Sequence, residues 1–314
     1  MWATATGPSV RDMISLDGLT KRYGGKTAVD DLTFTIRPGA VTGFLGPNGA
    51  GKSTTMRMIL GLDRPTTGTA LVRGKHYAEL ADPLRVVGAL LDARAVHPGR
   101  SVHAHLWAQA RSNGIPRSRV AEVVGLVGLE PVAGKRAGTL SLGMSQRLGI
   151  AGALLGDPEI LMFDEPVNGL DPDGVRWFRR LARTMAAEGR TILVSSHLMS
   201  EMQLTADHLV VIGKGRLLAD APLADVLGAS LSAAGVVARS PHAGDLADRL
   251  IAAGGEVERP AEHQVVVTGL AIDRVGDIAH DAGIRLHELS TREASLEQAY
   301  QELTEDSVEF GVSR

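Results

Sequence analysis

The fold of this chain is decided by one glycine-rich stretch, Gly46-Pro47-Asn48-Gly49-Ala50-Gly51-Lys52-Ser53-Thr54. It fits the pattern G-x-x-x-x-G-K-[ST], which wraps around the phosphates of a nucleoside triphosphate. The apolar residues 40–45 before it predict a short buried strand, and residues 53–60 predict a helix. A glycine-rich turn between a strand and a helix directs backbone N–H groups and the positive end of the helix at one anion.

We predict that all nine residues contact the nucleotide. The glycines Gly46, Gly49 and Gly51 permit the turn and the close approach of a phosphate. Lys52 supplies a mobile positive charge for the outer phosphates, and the Ser53 hydroxyl is placed to ligate Mg²⁺. Only six of the 33 basic residues are lysines, at positions 21, 26, 52, 75, 135 and 214. A chain that nearly always uses arginine therefore has a lysine where a compact ammonium suits the loop.

The composition indicates a globular protein of one large domain or two ordinary ones. The chain has 314 residues, of which 44% are hydrophobic and 22% charged, and it has no cysteine, so disulfides are excluded. No run reaches the ~18 apolar residues of a membrane span, since Asp157-Pro158-Glu159 interrupts residues 150–163. The start lacks a basic, then apolar, signal pattern, and residues 1–12 are predicted to be a flexible tail. We expect a cytoplasmic protein.

The net charge of −3 is unevenly distributed. Residues 229–314 contain 7 arginines, no lysine and 15 acidic residues, which gives −8 there and leaves +5 for residues 1–228. An acidic C-terminal part argues against binding to nucleic acid. Its strand-like and helical segments alternate in an order that indicates a small ferredoxin-like α+β domain: 235–238, 245–253, 264–267, 272–281, 285–289 and a helix from Ser295. We therefore predict domains at 13–228 and 229–314.

The front of the chain predicts short strands at 14–19, 26–29 and 32–36. Tyr23 lies between the first two, just before two glycines, and has two interpretations. It is a half-buried tyrosine at the end of a strand, or an aromatic surface on which a nucleobase stacks. A further strand at 69–72 follows the phosphate loop, and the apolar run 86–91 ends at Asp92.

A helical insertion is predicted over residues 93–157, with helices at 103–110 and 120–127. Near its end, Ser141 is placed as the N-cap of another helix. Four apolar residues then recur at helical spacing and predict a buried stripe: Met144, Leu148, Ala151 and Leu155.

Two carboxylates follow a run of four apolar residues, 160–163, which predicts a central parallel strand. At the carboxyl end of such a strand, Asp164 can hold Mg²⁺ and Glu165 can deprotonate an attacking water. A turn at 168–172, a helix at 173–187 and a strand at 191–194 come next, and His197 after that strand is read as a γ-phosphate contact. Residues 210–212 and 216–218 predict a hairpin.

Taken together and in this order, these motifs resemble those of the ATP-binding subunits of ABC transporters over residues 14–226. The resemblance implies a P-loop NTPase of the ABC type. Its α/β core is RecA-like, an antiparallel β subdomain and a helical subdomain are added to it, and an α+β accessory domain follows, as in drug and antibiotic exporters. It assigns family roles in chain order: Tyr23 stacks on adenine, Gly46 to Thr54 bind phosphate, Ser141 to Met144 form the signature, Asp164-Glu165 are the magnesium ligand and base, Asn168 to Asp171 form the dimer loop, and His197 is the switch histidine.

Two departures from the common pattern resemble the bacitracin and lantibiotic members of the exporter branch, which also includes daunorubicin-type members. The signature is Leu-Ser-Leu-Gly-Met at 140–144, and it retains Ser141 and Gly143. Asp92 stands where most members have glutamine, and we expect it to take part in a water-mediated Mg²⁺ shell.

The resemblance also implies the partners. Two copies pair head to tail around two ATP molecules with Mg²⁺, so that Ser141 and Gly143 of one chain complete the phosphate shell held by Lys52 of the other. Glu165 and His197 align the attacking water. Separate membrane subunits dock on the helical insertion, including residues 92–100, and the chain is peripheral on the inner face of the cell membrane.

The motifs disfavour three alternatives. A soluble ABC ATPase of translation or DNA maintenance usually has two cassettes or a long coiled-coil insert, and neither is present. A GTPase or small-molecule kinase is disfavoured because the guanine-reading Asn-Lys-x-Asp is absent. A non-catalytic nucleotide sensor is disfavoured by the intact set of Lys52, Asp164, Glu165 and His197.

Overall fold

The computed structural model describes residues 12–229, 235–292 and 295–304. The chain divides into two compact units, and the second runs from Ala224 to Glu302. The predicted tail lies outside the described residues except for Asp12. The predicted boundary at 228 falls a few residues after the observed division and stays a prediction.

The strands of the first unit are β1 (Ile14–Tyr23), β2 (Lys26–Ile36), β3 (Val41–Leu45), β4 (Thr67–Val72), β5 (Val87–Leu90), β6 (Ile160–Asp164), β7 (Thr191–Ser196), β8 (His208–Gly213) and β9 (Arg216–Pro222). Its helices are α1 (Lys52–Ile59), α2 (Pro83–Val86), α3 (Val102–Ser112), α4 (Arg117–Leu126), α5 (Leu142–Leu154), α6 (Pro172–Ala187) and α7 (Met199–Thr205). Short 3₁₀ turns lie at Tyr77–Glu79, Glu130–Val132 and Ala137–Thr139.

A six-stranded sheet in the order β5-β6-β7-β3-β8-β9 forms the centre of this unit. Its strands are parallel except for β9, which pairs antiparallel with β8 as the predicted hairpin. The residues of β3 and most of β6 are buried, as expected for strands covered on both faces. The parallel arrangement brings the carboxyl ends of β3, β6 and β7 to the same edge.

A second, antiparallel sheet has the order β2-β1-β4. The hydrophobic core of this sheet is continuous with that of the central sheet. Phe34 of β2 packs against Phe44 of β3, with the ring centroids 5.7 Å apart. The three short strands predicted at 14–36 are in fact two long ones. Asp31, at φ 56°, produces a bulge that shifts the register of β2 without ending it.

The helical part contains α3 and α4, followed by α5, which packs against β5 and β6. Ser141 caps α5 as predicted, because its Oγ accepts a hydrogen bond from the N–H of Met144. The buried stripe is confirmed for Leu148, Ala151 and Leu155 but is wrong for Met144, which is 37% exposed. Met144 lies in the first turn of α5, before the helix reaches the core.

The second unit contains α8 (Leu223–Ala229), β10 (Gly235–Arg239), α9 (Ala243–Ala252), β11 (Glu256–Ala261), β12 (Gln264–Thr268), α10 (Ile272–Asp281), β13 (Glu288–Arg292) and α11 (Leu296–Thr304). Its antiparallel sheet has the order β11-β12-β10-β13, which confirms the ferredoxin-like arrangement.

Two elements of this unit differ from the prediction. The prediction missed β11, because this edge strand is mostly exposed, carries two glutamates and contains Pro260. The last strand lies at β13 instead of 285–289, since Ile284 and Leu286 pack on the core from the segment before it.

Candidate nucleotide-binding site

The phosphate loop joins β3 to α1 and has little room for side chains. Gly49 and Gly51 have φ of 83° and 105°, in the region that favours glycine. A Cβ at Gly46 would lie 2.6 Å from the carbonyl oxygen of Ile212, and one at Gly51 would lie 2.5 Å from that of Ala28. The glycines therefore permit the turn and bring the backbone close to its neighbours.

The loop is braced from behind by Gly215, at the turn between β8 and β9. The N–H of Gly215 donates to the carbonyl of Ala50 at 3.1 Å, and its own carbonyl accepts from the N–H of Asp30 at 2.8 Å. Arg216 forms an ion pair with Asp30. These bonds connect the phosphate loop to both sheets.

Lys52 is the first residue of α1 and is only 7% exposed. Its Nζ donates to the carbonyl oxygens of Gly46 at 2.7 Å and Pro47 at 3.4 Å. Burial lowers the pKa of Lys52, and the nearby carboxylates of Glu165 and Asp164 act in the opposite direction. The ammonium is thus held inside the loop and near the carboxylate pair.

A cleft of about 210 Å³ brings most of the predicted residues together. Its lining consists of Ala28, the loop from Pro47 to Thr54, Asp164 and Glu165. Asp164 is the last residue of β6 and Glu165 follows it directly. In the sheet, β7 lies between β6 and β3. The predicted phosphate, magnesium and base residues therefore share one cleft.

Ser195, at the end of β7, holds the carboxylate pair in place. Its hydroxyl donates to Oδ1 of Asp164 and accepts from the N–H of Glu165 at 3.0 Å. The same N–H also donates to the Ser195 carbonyl at 3.2 Å. Ser195 is fully buried and was not singled out from the sequence. The only sequence signal was its place at the end of a strand of the same sheet.

Glu165 has three further features. Its φ of 49° is unusual for a residue with a side chain. Its Oε2 lies 2.7 Å from Nδ1 of His197, and its carbonyl accepts from Nε2 of Gln146 at 2.7 Å. The structure thus joins Glu165 to His197, while Gln146 is a contact that sequence reasoning missed.

Tyr23 lies at the end of β1 and is 50% exposed. Its hydroxyl donates to Oδ2 of Asp63 at 3.0 Å, and Asp63 is held by Arg57 at 2.8 Å. Nζ of Lys21 lies 5.0 Å from the ring centroid. Burial and the neighbouring Asp63 raise the pKa of Tyr23, and the side chain of Thr54 in the phosphate loop acts weakly in the opposite direction. Tyr23 is therefore a fixed aromatic ring beside the loop.

Ser141 and Gly143 lie at the start of α5 and do not line the phosphate cleft of their own chain. A Cβ at Gly143 would lie 2.9 Å from the carbonyl oxygen of Gly169, so α5 and the loop of residues 168–171 approach closely. The loop ends at Asp171, which caps α6 by accepting from the N–H of Gly174 at 2.8 Å.

Asp92 is also outside the phosphate cleft. Its Oδ1 accepts from the N–H of Arg94 at 2.8 Å, which stabilises the turn after β5. It lines a separate hollow of about 550 Å³ with walls from Leu60, Leu84, Leu90 and Leu148. Its predicted role in a Mg²⁺ shell stays a prediction.

This fold and this cleft define a nucleotide-binding P-loop protein. The ABC transporter family matches residues 29–168, and a domain of unknown function matches residues 221–297. The chain is 42% identical over 212 residues to the uncharacterized ABC transporter ATP-binding protein YhcH of Bacillus subtilis (strain 168), covering 67% of this chain and 70% of that protein.

Two further comparisons agree. The bacitracin transport ATP-binding protein BcrA of Bacillus licheniformis is 41% identical over 213 residues, covering 67% of this chain and 70% of that protein. Among solved structures, the dimeric structure of MJ0796, a bacterial ABC transporter cassette, has a TM-score of 0.62 at 24% identity and covers 67% of this chain and 99% of that chain. The chain belongs to the ATP-binding proteins of ABC transporters, the subunits that bind and hydrolyse ATP to power transport, as predicted from its motifs. None of the helices within residues 12–229, 235–292 and 295–304 combines the length and the apolar character of a membrane span.

Proposed function

We propose that this chain powers the export of a hydrophobic antibiotic, drug or peptide through separate membrane subunits, and that it works at the inner face of the cell membrane. The observation that carries the catalytic part is the contact of 2.7 Å between Glu165 and His197, at a cleft that also contains Lys52. The name of the relative BcrA, a bacitracin transport protein, supports an antibiotic as the class of cargo.

In the proposed reaction, a water molecule attacks the γ-phosphorus of ATP and the bond to the β-phosphate oxygen breaks. Glu165 takes the proton from the water. His197 contacts Glu165 through Nδ1, and Nε2 of the same ring contacts the γ-phosphate. The ammonium of Lys52 transfers its hydrogen bonds from the loop carbonyls to the outer phosphates, where it stabilises the developing charge.

The residues present fit a magnesium ion that arrives with the triphosphate. Asp164 and Ser53 both line the cleft and offer the oxygen ligands that Mg²⁺ prefers. Ser195 fixes one oxygen of Asp164, which orients the other. In the described part of the chain, no three His, Asp or Glu side chains gather to bind a metal by themselves. When bound, it neutralises phosphate charge.

A second copy in head-to-tail orientation completes the site. Ser141 and Gly143 are at the surface, away from the cleft of their own chain, and two apolar side chains beside them, Leu142 and Met144, are 45% and 37% exposed. Exposed apolar residues next to functional ones favour contact with another protein surface. The dimeric state of MJ0796, which shares this fold, supports the pairing.

The hollow beside Asp92 is the proposed docking site for a membrane subunit. Two of its lining side chains, His105 and Gln109, have a buried Nδ1 and a buried Oε1 without hydrogen-bond partners among the described residues. Burial lowers the pKa of His105, with smaller contributions from Arg100 and His97, which favours the neutral ring. A cytoplasmic segment with apolar side chains and a hydrogen-bond donor fits these walls and atoms.

The test of this function uses Glu165→Gln. This variant should still bind ATP and accumulate as an ATP-bound dimer, while turnover falls by roughly 10²–10⁴, as for the loss of a general base. Size-exclusion chromatography with ATP and a phosphate-release assay measure both effects. Glu130→Gln, which changes an exposed glutamate of the helical part, is the control and should behave like the unchanged chain.

Lys52→Ala tests the role of Lys52 in ATP binding, whereas Glu165→Gln tests hydrolysis. Because the variant loses the charge that faces the phosphates, ATP affinity should fall strongly. Undiminished hydrolysis by Glu165→Gln, or unchanged ATP affinity of Lys52→Ala, would refute the assignment of the respective residue.

A further inference from the structure

Gln146 is a buried polar side chain on α5, only 4% exposed. Its Nε2 donates to the backbone carbonyl of Glu165 at 2.7 Å. Its Oε1 is buried and has no hydrogen-bond partner among the described residues. A buried amide that leaves its oxygen unsatisfied costs stability, so packing alone does not explain its presence.

The bond to Gln146 falls on the most constrained backbone of the site. Glu165 has a positive φ of 49°, which a residue with a side chain adopts only when its surroundings hold it there. Ser195 binds the N–H of Glu165 through its hydroxyl and carbonyl, and Gln146 binds the C=O. The residue is therefore held on both sides, by two different elements.

We infer that Gln146 is a positioning residue for the Glu165 carboxylate and ties it to the helix that carries Ser141 and Gly143. This inference rests on the proposed function of Glu165 as the base. Gln146 lies five residues after Ser141, about 7.5 Å along the axis of α5 at 1.5 Å per residue. A shift of the first turn of α5, when a second copy's nucleotide engages it, is thus passed to the carbonyl of Glu165.

The Gln146 bond also couples the position of Glu165, the proposed base, to α5, which belongs to a different part of the chain. Glu165 directly follows β6 of the central sheet, and α5 ends the helical part. Without the Gln146 bond, the Glu165 backbone relaxes from its positive φ, and its carboxylate loses its alignment with His197. A displacement of about 1 Å at a reacting group can cost about a hundredfold in rate.

The experiment replaces Gln146 with Met, which keeps an unbranched side chain of similar size and removes the donor. The value of kcat should fall at least about tenfold, while KM and the ATP dissociation constant stay within about twofold, because Gln146 does not line the phosphate cleft. Gln146→Leu, which also has no donor, should show the same loss. Leu154→Met and Ser145→Ala, on the same helix, are controls for packing and should retain kcat.

A double variant separates positioning from a structural role. Residues that act as a unit are strongly non-additive, so Gln146→Met should lower the residual rate of Glu165→Gln by less than about twofold. A multiplicative loss, a drop in ATP affinity, an unchanged kcat, or failure of both Gln146 variants to fold would overturn the inference. If Glu165→Gln itself leaves hydrolysis unchanged, the proposed function fails instead.

Discussion

At the scale of single residues, Tyr23 is fixed by three neighbours. Asp63 accepts a hydrogen bond from the Tyr23 hydroxyl, and Arg57 donates two hydrogen bonds to Asp63. Lys21 lies over the ring. The bound hydroxyl anchors the far end of the side chain, and the ring keeps a half-exposed aromatic surface. A nucleobase can stack on such a surface with little loss of side-chain conformational entropy.

Tyr23→Ala should therefore weaken ATP binding about tenfold, since stacking contributes about 1–3 kcal/mol per base. Affinity for inorganic tripolyphosphate should not change, because this ligand has no base. Titration calorimetry with both ligands measures the difference. Tyr23→Phe keeps the ring and should retain most of the ATP affinity, and an equal loss for both ligands in Tyr23→Ala would contradict stacking.

Some residues of the site could be predicted from the sequence and others could not. Lys52 and Glu165 were predicted because each lies in a local pattern of loop, strand and charge. Ser195 and Asp63 were missed, because their partners lie 31 and 40 positions away in the chain. Only the folded sheet brings such pairs together, and a buried serine at the end of a strand looks like any other small residue.

At the scale of elements, the contact between α5 and the loop of residues 168–171 depends on two glycines. Gly143 faces the carbonyl of Gly169, and a Cβ at Gly169 would lie 2.3 Å from Cδ2 of Leu142. The position of the signature helix is thus coupled to the segment between the carboxylate pair and α6. Neither the exposed Met144 nor this close approach was evident from helical periodicity.

Gly143→Ala should push this loop away, because the new Cβ would lie 2.9 Å from the Gly169 carbonyl. Hydrolysis should fall about tenfold to a hundredfold, while a single chain binds ATP as before, since Gly143 does not line the cleft. Turnover and equilibrium binding, measured on the same preparation, check this. Gly134→Ala, where an added Cβ meets nothing within 4 Å, is the control. Full ATPase activity of Gly143→Ala would contradict a role of residues 141–144 in hydrolysis.

At the scale of the whole molecule, the residues that bind nucleotide and those of the acidic C-terminal unit are separate in sequence. The cleft is lined by residues up to Glu165, and the last strand of the central sheet ends at Pro222. The core of the second unit is formed from its own residues, among them Val236, Leu246 and Val275. The ferredoxin-like order was predictable from alternating patterns, whereas the polar edge strand β11 was not.

A chain that ends at residue 228 should keep its ATP affinity within about twofold, since a unit with its own core folds without its neighbour. A chain that ends at residue 207 lacks β8 and β9 and should fail to bind ATP. Calorimetry on both truncations tests this. Loss of affinity in the longer truncation would mean that the predicted boundary at 228 is misplaced.

The brace that Gly215 gives to the phosphate loop has a consequence for biosynthesis. The ribosome completes the loop early, but Gly215 emerges only near the end of the first unit, so the loop stays without its support during most of translation. We therefore expect ATP to stabilise the growing polypeptide only after the β8–β9 hairpin has left the exit tunnel.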